Sequence, residues 1–119
     1  MIIKKQRAIA DLKKEFNDLY PGLKIEFYDR PHHVHEGSPA ENQFPNDLTL
    51  GDIHSHTKEG QIELLPDMTV TEVEKAFEDQ FGLHIQIYRR SNTLWLQTST
   101  TDDWTLEVQN RKGIHSNQQ

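Results

Sequence analysis

The chain has 119 residues, enough for one domain or for two very small halves sharing a core. Its hydrophobic fraction is 34%, its mean hydropathy is -0.82 and its formal charge is -6, so the core is modest and the surface acidic. Without cysteine there is no disulfide framework, zinc–thiolate site or cysteine nucleophile, and the negative surface opposes unspecific binding to nucleic acid.

The first residues, Met1 to Arg7, hold no apolar run long enough for a signal peptide or a membrane span. The expected location is therefore cytoplasmic, with no membrane partner. Residues 2–4 suggest a short strand. Ile9, Leu12, Phe16, Leu19 and Tyr20 then fall on one helical stripe. Gly22 follows the last aromatic and suits a left-handed helix end. The period next switches to two, with Leu23, Ile25 and Phe27 on one face of a strand.

Residues 31–46 read as a proline-rich loop, long for so small a protein and so a place to look for function. Asp47 precedes a short helical pattern and suits a cap, Gly60 closes that segment, and residues 61–65 read as a strand. Thr69 and Glu72 have capping-box spacing, with Met68 and Val73 at staple positions. The helix that follows carries Val70, Val73, Phe77 and Phe81 on one stripe, with Gln80 as a polar lapse. Gly82 again suits the helix end, and Leu83, Ile85 and Ile87 form a strand face. Ser91-Asn92 reads as a hairpin turn into a strand over 93–98. That register sets Tyr88 opposite Trp95, Gln86 opposite Gln97 and Ile87 opposite Leu96. Asp103 then repeats the cap of Asp47, and Gly113 ends the last segment.

Residues 11–30, with Pro21 skipped, align with residues 72–90 at eight identities in nineteen pairs. Helix–glycine–strand grammar explains the apolar spacing and the glycine. It does not explain Lys14/Lys75, Asp18/Asp79 or Arg30/Arg90. The expected architecture is α+β, two pseudo-repeats of roughly β-α-β-(β)-α with helices packed on a mostly antiparallel sheet. Pseudo-repeat one covers about 1–60, pseudo-repeat two about 61–113, and 114–119 form a tail.

Five of the seven histidines, His32, His33, His35, His54 and His56, crowd into one stretch. Imidazoles ligate zinc, nickel or copper, and Glu36, Glu41 and Asp52 stand near as oxygen donors. Asp52 and His56 share a face if that segment is helical. The plainer reading is a set of solvated loop histidines, since no metalloenzyme spacing is present. Asp102-Asp103 reads as a helix cap before it reads as a carboxylate pair for a cation. Tyr88 and Trp95, with Gln86 and Gln97, form a second candidate face. Ranked in order, it is a cross-strand structural pair, a protein contact or a nucleic-acid platform. No phosphate loop or G-x-S-x-G elbow occurs.

The strings FGLHIQIYRRSNTLWLQT and TTDDWTLEVQN resemble a small uncharacterised family of bacterial, Bacteroidetes-like proteins with FGL-x-IQIYR and TDDWTL-x-x-QN motifs. The resemblance covers most of the chain and implies a bacterial origin. It implies no activity, cofactor or functional residue, and the histidine-rich loop is not part of its pattern. The expected function is a non-catalytic interaction module, self-associating or binding a protein partner. The alternative is a histidine-rich metal binder or metal-dependent enzyme using zinc or nickel.

Overall fold

The computed structural model describes residues 1–32 and 35–116. Its elements are β1 (Ile2–Ile3), α1 (Ile9–Leu19), β2 (Leu23–Tyr28), α2 (Leu50–Ile53), β3 (Gly60–Gln61), α3 (Val70–Phe81), β4 (His84–Ser91), β5 (Leu94–Gln97) and α4 (Leu106–His115). Single 3-10 turns lie at Ala40–Asn42 and Ser99–Thr101. The class is α+β. Helices pack on an antiparallel sheet in the order β2-β4-β5, while β1 and β3 form a second, two-stranded ladder. Among the described residues, no helix is long and apolar enough to cross a membrane.

One core joins both halves of the chain. Ile9, Leu12 and Phe16 of α1 meet Val70, Val73 and Phe77 of α3 over Leu23, Ile25, Phe27, Ile85 and Ile87 of the sheet. The stripe of α1 stops at Phe16, since Leu19 is half exposed and Tyr20 turns inward instead. The capping box of Thr69 and Glu72 is present, and Gly82 ends α3 in the left-handed conformation at φ 69°.

Corresponding positions of the two helix–strand units make corresponding hydrogen bonds. Ile9 and Val70 donate to the carbonyls of Leu48 and Trp104, at 2.8 and 3.1 Å. Ala10 and Thr71 donate to those of Asn46 and Asp102, and Leu50 and Leu106 to those of Arg7 and Met68. The isolated bridges Ala8–Thr49 and Thr69–Thr105 match in the same way. Within the sheet, Glu26 of β2 faces Gln86 of β4, its counterpart in the alignment.

Several local readings need correcting. Gly22 does not adopt positive φ, because the extra Pro21 lets the chain reverse in a turn closed by Leu23 N–H to the Tyr20 carbonyl at 2.8 Å. Gly22 is needed for close approach instead. A Cβ there would overlap Asn110, and one on Gly113 would overlap the Gly22 carbonyl. Gly113 therefore lies inside α4, which runs on to His115, rather than ending the segment. The tail expected from 114 is helical at its start, and the rest of it from 117 lies outside the described residues. The helix caps are Thr49 and Thr105, not Asp47 and Asp103. Threonine takes the cap because its hydroxyl reaches the N–H three residues on, at 3.2 Å in both cases.

The hairpin also differs. Its two-residue loop is Asn92-Thr93, flanked by the pair Ser91–Leu94. Asn92 supplies the positive φ of 56° that such a loop requires at its first position. Tyr88 consequently faces Gln97, Arg89 faces Leu96 and Arg90 faces Trp95. Each partner moves by two residues, so every side chain stays on its expected face.

Candidate functional site

Three regions bear on function: the polar face of the sheet, the histidine loop, and the outer edge of β5. The polar face carries Lys24, Glu26 and Tyr28 from β2, His84, Gln86 and Tyr88 from β4, and Trp95 and Gln97 from β5. It is not an open platform. The loop after β2 folds back across it. Ser38 N–H donates to Gln97 Oε1 at 2.8 Å, and Gln97 Nε2 donates to the Ser38 carbonyl at 2.9 Å. Ser38 Oγ reaches Gln86 Oε1 at 3.3 Å.

Of the four residues expected to face a partner, Gln86 is wholly buried and Gln97 is engaged by Ser38. Tyr88 is half-buried, with its hydroxyl bonded to that of Tyr28. Burial, that hydroxyl and the charge of Glu26 together push the Tyr28 phenol far above its ordinary range, so it stays protonated. Lys24 Nζ lies over the rings of both Tyr88 and Trp95, at 4.9 and 5.4 Å. A cation over two aromatic faces is favourable electrostatically. Most of this face is thus already occupied by the chain itself.

Glu26, almost fully buried, organises the other side of the face. It accepts from Lys13 Nζ at 2.7 Å and Gln43 Nε2 at 3.0 Å, and Lys24 Nζ lies 3.3 Å away. A carboxylate so enclosed needs this many partners, because an unpaired buried charge is strongly unfavourable.

The histidine loop divides. His32 lines a cleft of about 260 Å³ between α3, the start of β4 and Asp102, and the largely exposed His35 reaches Asp102 beside it. There His32 Nε2 lies 3.2 Å from Glu74 Oε2, and His35 Nδ1 lies 2.8 Å from Asp102 Oδ1. His54 lies in a second hollow with Tyr28, Phe44 and Gly82, and His84 lines both hollows. His56 is exposed, its ring 6.3 Å from that of His54. His33 lies outside the described residues. Asp52 and His56 do not share a helical face, because α2 ends at Ile53 and Asp52 serves the capping box with Thr49. Among the described residues, no group of three histidines and carboxylates is arranged to hold a metal ion.

Two acids line the first cleft, Glu74, which the sequence did not single out, and Asp102, which it set down as a helix cap before a cation ligand. Glu74 sits on α3 one residue past the core stripe and looks like a solvated helix glutamate. Desolvation raises its pKa above the ordinary 4.5, with the charge of Asp102 adding to the rise, while His32 and a backbone hydrogen bond from Ile87 pull it down. Asp102 reads as part of a cap, yet its carbonyl accepts from Thr71 N–H and Thr71 Oγ at 2.8 and 2.9 Å. Its carboxylate is buried in the cleft. The one available signal was that Asp102 stands before Asp103 where Asn46 stands before Asp47, a charge at one of two otherwise similar places.

The third region is the outer edge of β5. Leu94 and Leu96 are 65% and 43% exposed, and among the described residues β5 has a partner strand on one side only. Alternation along the ladder turns the main-chain groups of Trp95 outward. Compared with protein-family models, curated proteins and solved structures, the chain matches none.

Proposed function

We propose that this protein is a non-catalytic interaction module, built on a duplicated helix–strand unit, that binds a protein partner or a second copy of itself through the outer edge of β5. The observation that carries this reading is the pair of exposed leucines, Leu94 and Leu96, on an unpaired edge strand. Free edges accept a further strand through main-chain hydrogen bonds, and exposed apolar side chains on such an edge favour association. Trp95, half-buried under Lys24, is the aromatic anchor beside them. Membership of the bacterial family is part of the same proposal and adds no activity to it.

Light scattering across a concentration series tests the self-association arm, and pull-down from a bacterial lysate tests the partner arm. The variants Leu94→Lys with Leu96→Lys, and separately Trp95→Ala, should lose the association while keeping the circular dichroism of the parent. A strict monomer whose pull-down is the same in all variants would sink the idea.

Metal binding is the second reading, favoured by His32 beside Glu74 in the cleft and His35 beside the Asp102 that lines it. Elemental analysis of tag-free protein decides it. Stoichiometric zinc or nickel supports this reading, and none after dialysis against either metal removes it.

A further inference from the structure

The first cleft invites a different occupant, and the first half of the chain indicates which. Lys13 and Glu74 hold corresponding positions, each three residues after the helix residue that donates to Asn46 or Asp102. In the first half, the Lys13 ammonium bridges Asn46 Oδ1 and Glu26 Oε1, both at 2.7 Å. In the second half the corresponding pair is Glu74 and Asp102, two acids with no ammonium between them among the described residues. We propose that the cleft between α3, His32 and Asp102 is a binding site for an organic cation, a guanidinium or ammonium head group, held by the Glu74 and Asp102 carboxylates.

The electrostatics point the same way. Among the described residues, four carboxylates line the cleft, those of Glu74, Glu78, Asp79 and Asp102, against the ammonium of Lys75. That ammonium is engaged by Asp79 at 2.8 Å. Asp102 is 1% exposed, and its Oδ2 accepts the backbone N–H of His35 at 3.1 Å. Its Oδ1 and the Oε2 of Glu74 are buried, and each faces an imidazole, that of His35 at 2.8 Å and that of His32 at 3.2 Å. Buried carboxylates faced by imidazoles rather than by a permanent cation are incompletely compensated, and a ligand bringing charged N–H groups relieves that charge. A guanidinium offers five N–H donors in a planar fork, and the flat rings of His32 and His84 stand beside it. The volume of about 260 Å³ suits a side-chain head group better than a bare ion.

Two sources present this chemistry, a free small amine and an arginine or lysine side chain of a polypeptide. Titrating the full-length protein with agmatine, spermidine and the peptide Gly-Gly-Arg-Gly-Gly, followed by backbone amide NMR, separates them. Saturable shifts confined to Thr71, Glu74, Ile85 and Asp102, at about millimolar affinity or tighter, are expected from at least one probe. The peptide alone binding identifies a polypeptide side chain, and agmatine or spermidine binding identifies a free amine. Glu74→Gln and Asp102→Asn should each weaken binding at least tenfold. Glu74→Lys copies Lys13, so it should raise the melting temperature and abolish binding. The proposal is overturned if no probe saturates, or if potassium or magnesium chloride at equal ionic strength gives the same shifts. It also falls if Glu74→Lys unfolds the protein while the neutral variants bind as the parent does.

Discussion

On the sides of β2 and β4 that face away from each other, the chain adds segments that begin alike and end differently. On β2, Phe44 N–H donates to the Phe27 carbonyl at 2.8 Å and Gln43 bridges Tyr28. On β4, Thr98 N–H donates to the Ile87 carbonyl at 3.1 Å and Gln97 pairs with Tyr88. Both glutamines contact the hydroxyl of their tyrosine, at 3.2 and 3.3 Å. The difference lies in how the chain arrives. A two-residue turn brings β5 alongside β4 and extends the ladder to Leu94. In the long loop, Ser38 lies against the polar face before Gln43 and Phe44 reach β2. One edge is thereby reduced to a single bridge, and the other gains a strand with two exposed leucines. Similar anchoring leaves the connection to decide which edge is open.

The sharpest way to break this comparison is through the core, where the halves should behave alike. Phe16 and Phe77 are both fully buried at corresponding positions of α1 and α3. Phe16→Ala and Phe77→Ala should each destabilise by about 3–5 kcal/mol, read from denaturant midpoints. A large inequality would mean that one helix is peripheral to the shared core.

The glutamines should behave unequally. Gln97→Ala leaves the amide and carbonyl of the buried Ser38 without their partners, a cost of about 1–3 kcal/mol. Gln43 is exposed and its removal opens its contacts to water, so Gln43→Ala should cost about 0.5–1.5 kcal/mol. Amide exchange supplies the independent check: protection at Ser38 should fall in Gln97→Ala and hold in Gln43→Ala. Equal losses in both variants would mean that the loop is held by something other than the Gln97 clamp.

Those contrasts also mark what could be read from the residues alone. Helix stripes, the Thr69 capping box and the β4 face were legible because burial imposes periods of 3.6 and two on the side chains themselves. The hairpin face was legible while its register was not, since Asn92-Thr93 and Ser91-Asn92 are both polar turn pairs and only backbone φ separates them. The loop across the polar face was illegible. Nothing in residues 35–38 announces that Ser38 will bond Gln97, because that contact joins residues 59 apart in sequence. The acid cleft was hidden for the same reason, Glu74 and Asp102 being ordinary surface types until α3 and the turn before α4 meet.

The smallest effect concerns that cleft and needs pH as its lever. Glu74 has its pKa raised by desolvation, so the folded state favours its protonated form. The resulting stabilisation is fully present below the ordinary value of 4.5 and is lost as pH rises through the raised value. His32, His84, Glu78 and Asp102 share the cleft, His35 faces Asp102 beside it, and His32 and Asp102 act on Glu74 in opposite senses. Glu74→Gln keeps the shape and removes the charge. Its melting temperature should exceed that of the parent at neutral pH and converge on it as pH falls toward 4.5. The corresponding change in the first half, Lys13→Met, should do the reverse at neutral pH, because it leaves Glu26 short of a partner in a buried setting. If both substitutions stabilise the fold, Lys13 is not compensating Glu26, and the contrast between a filled first half and an unfilled second half is lost.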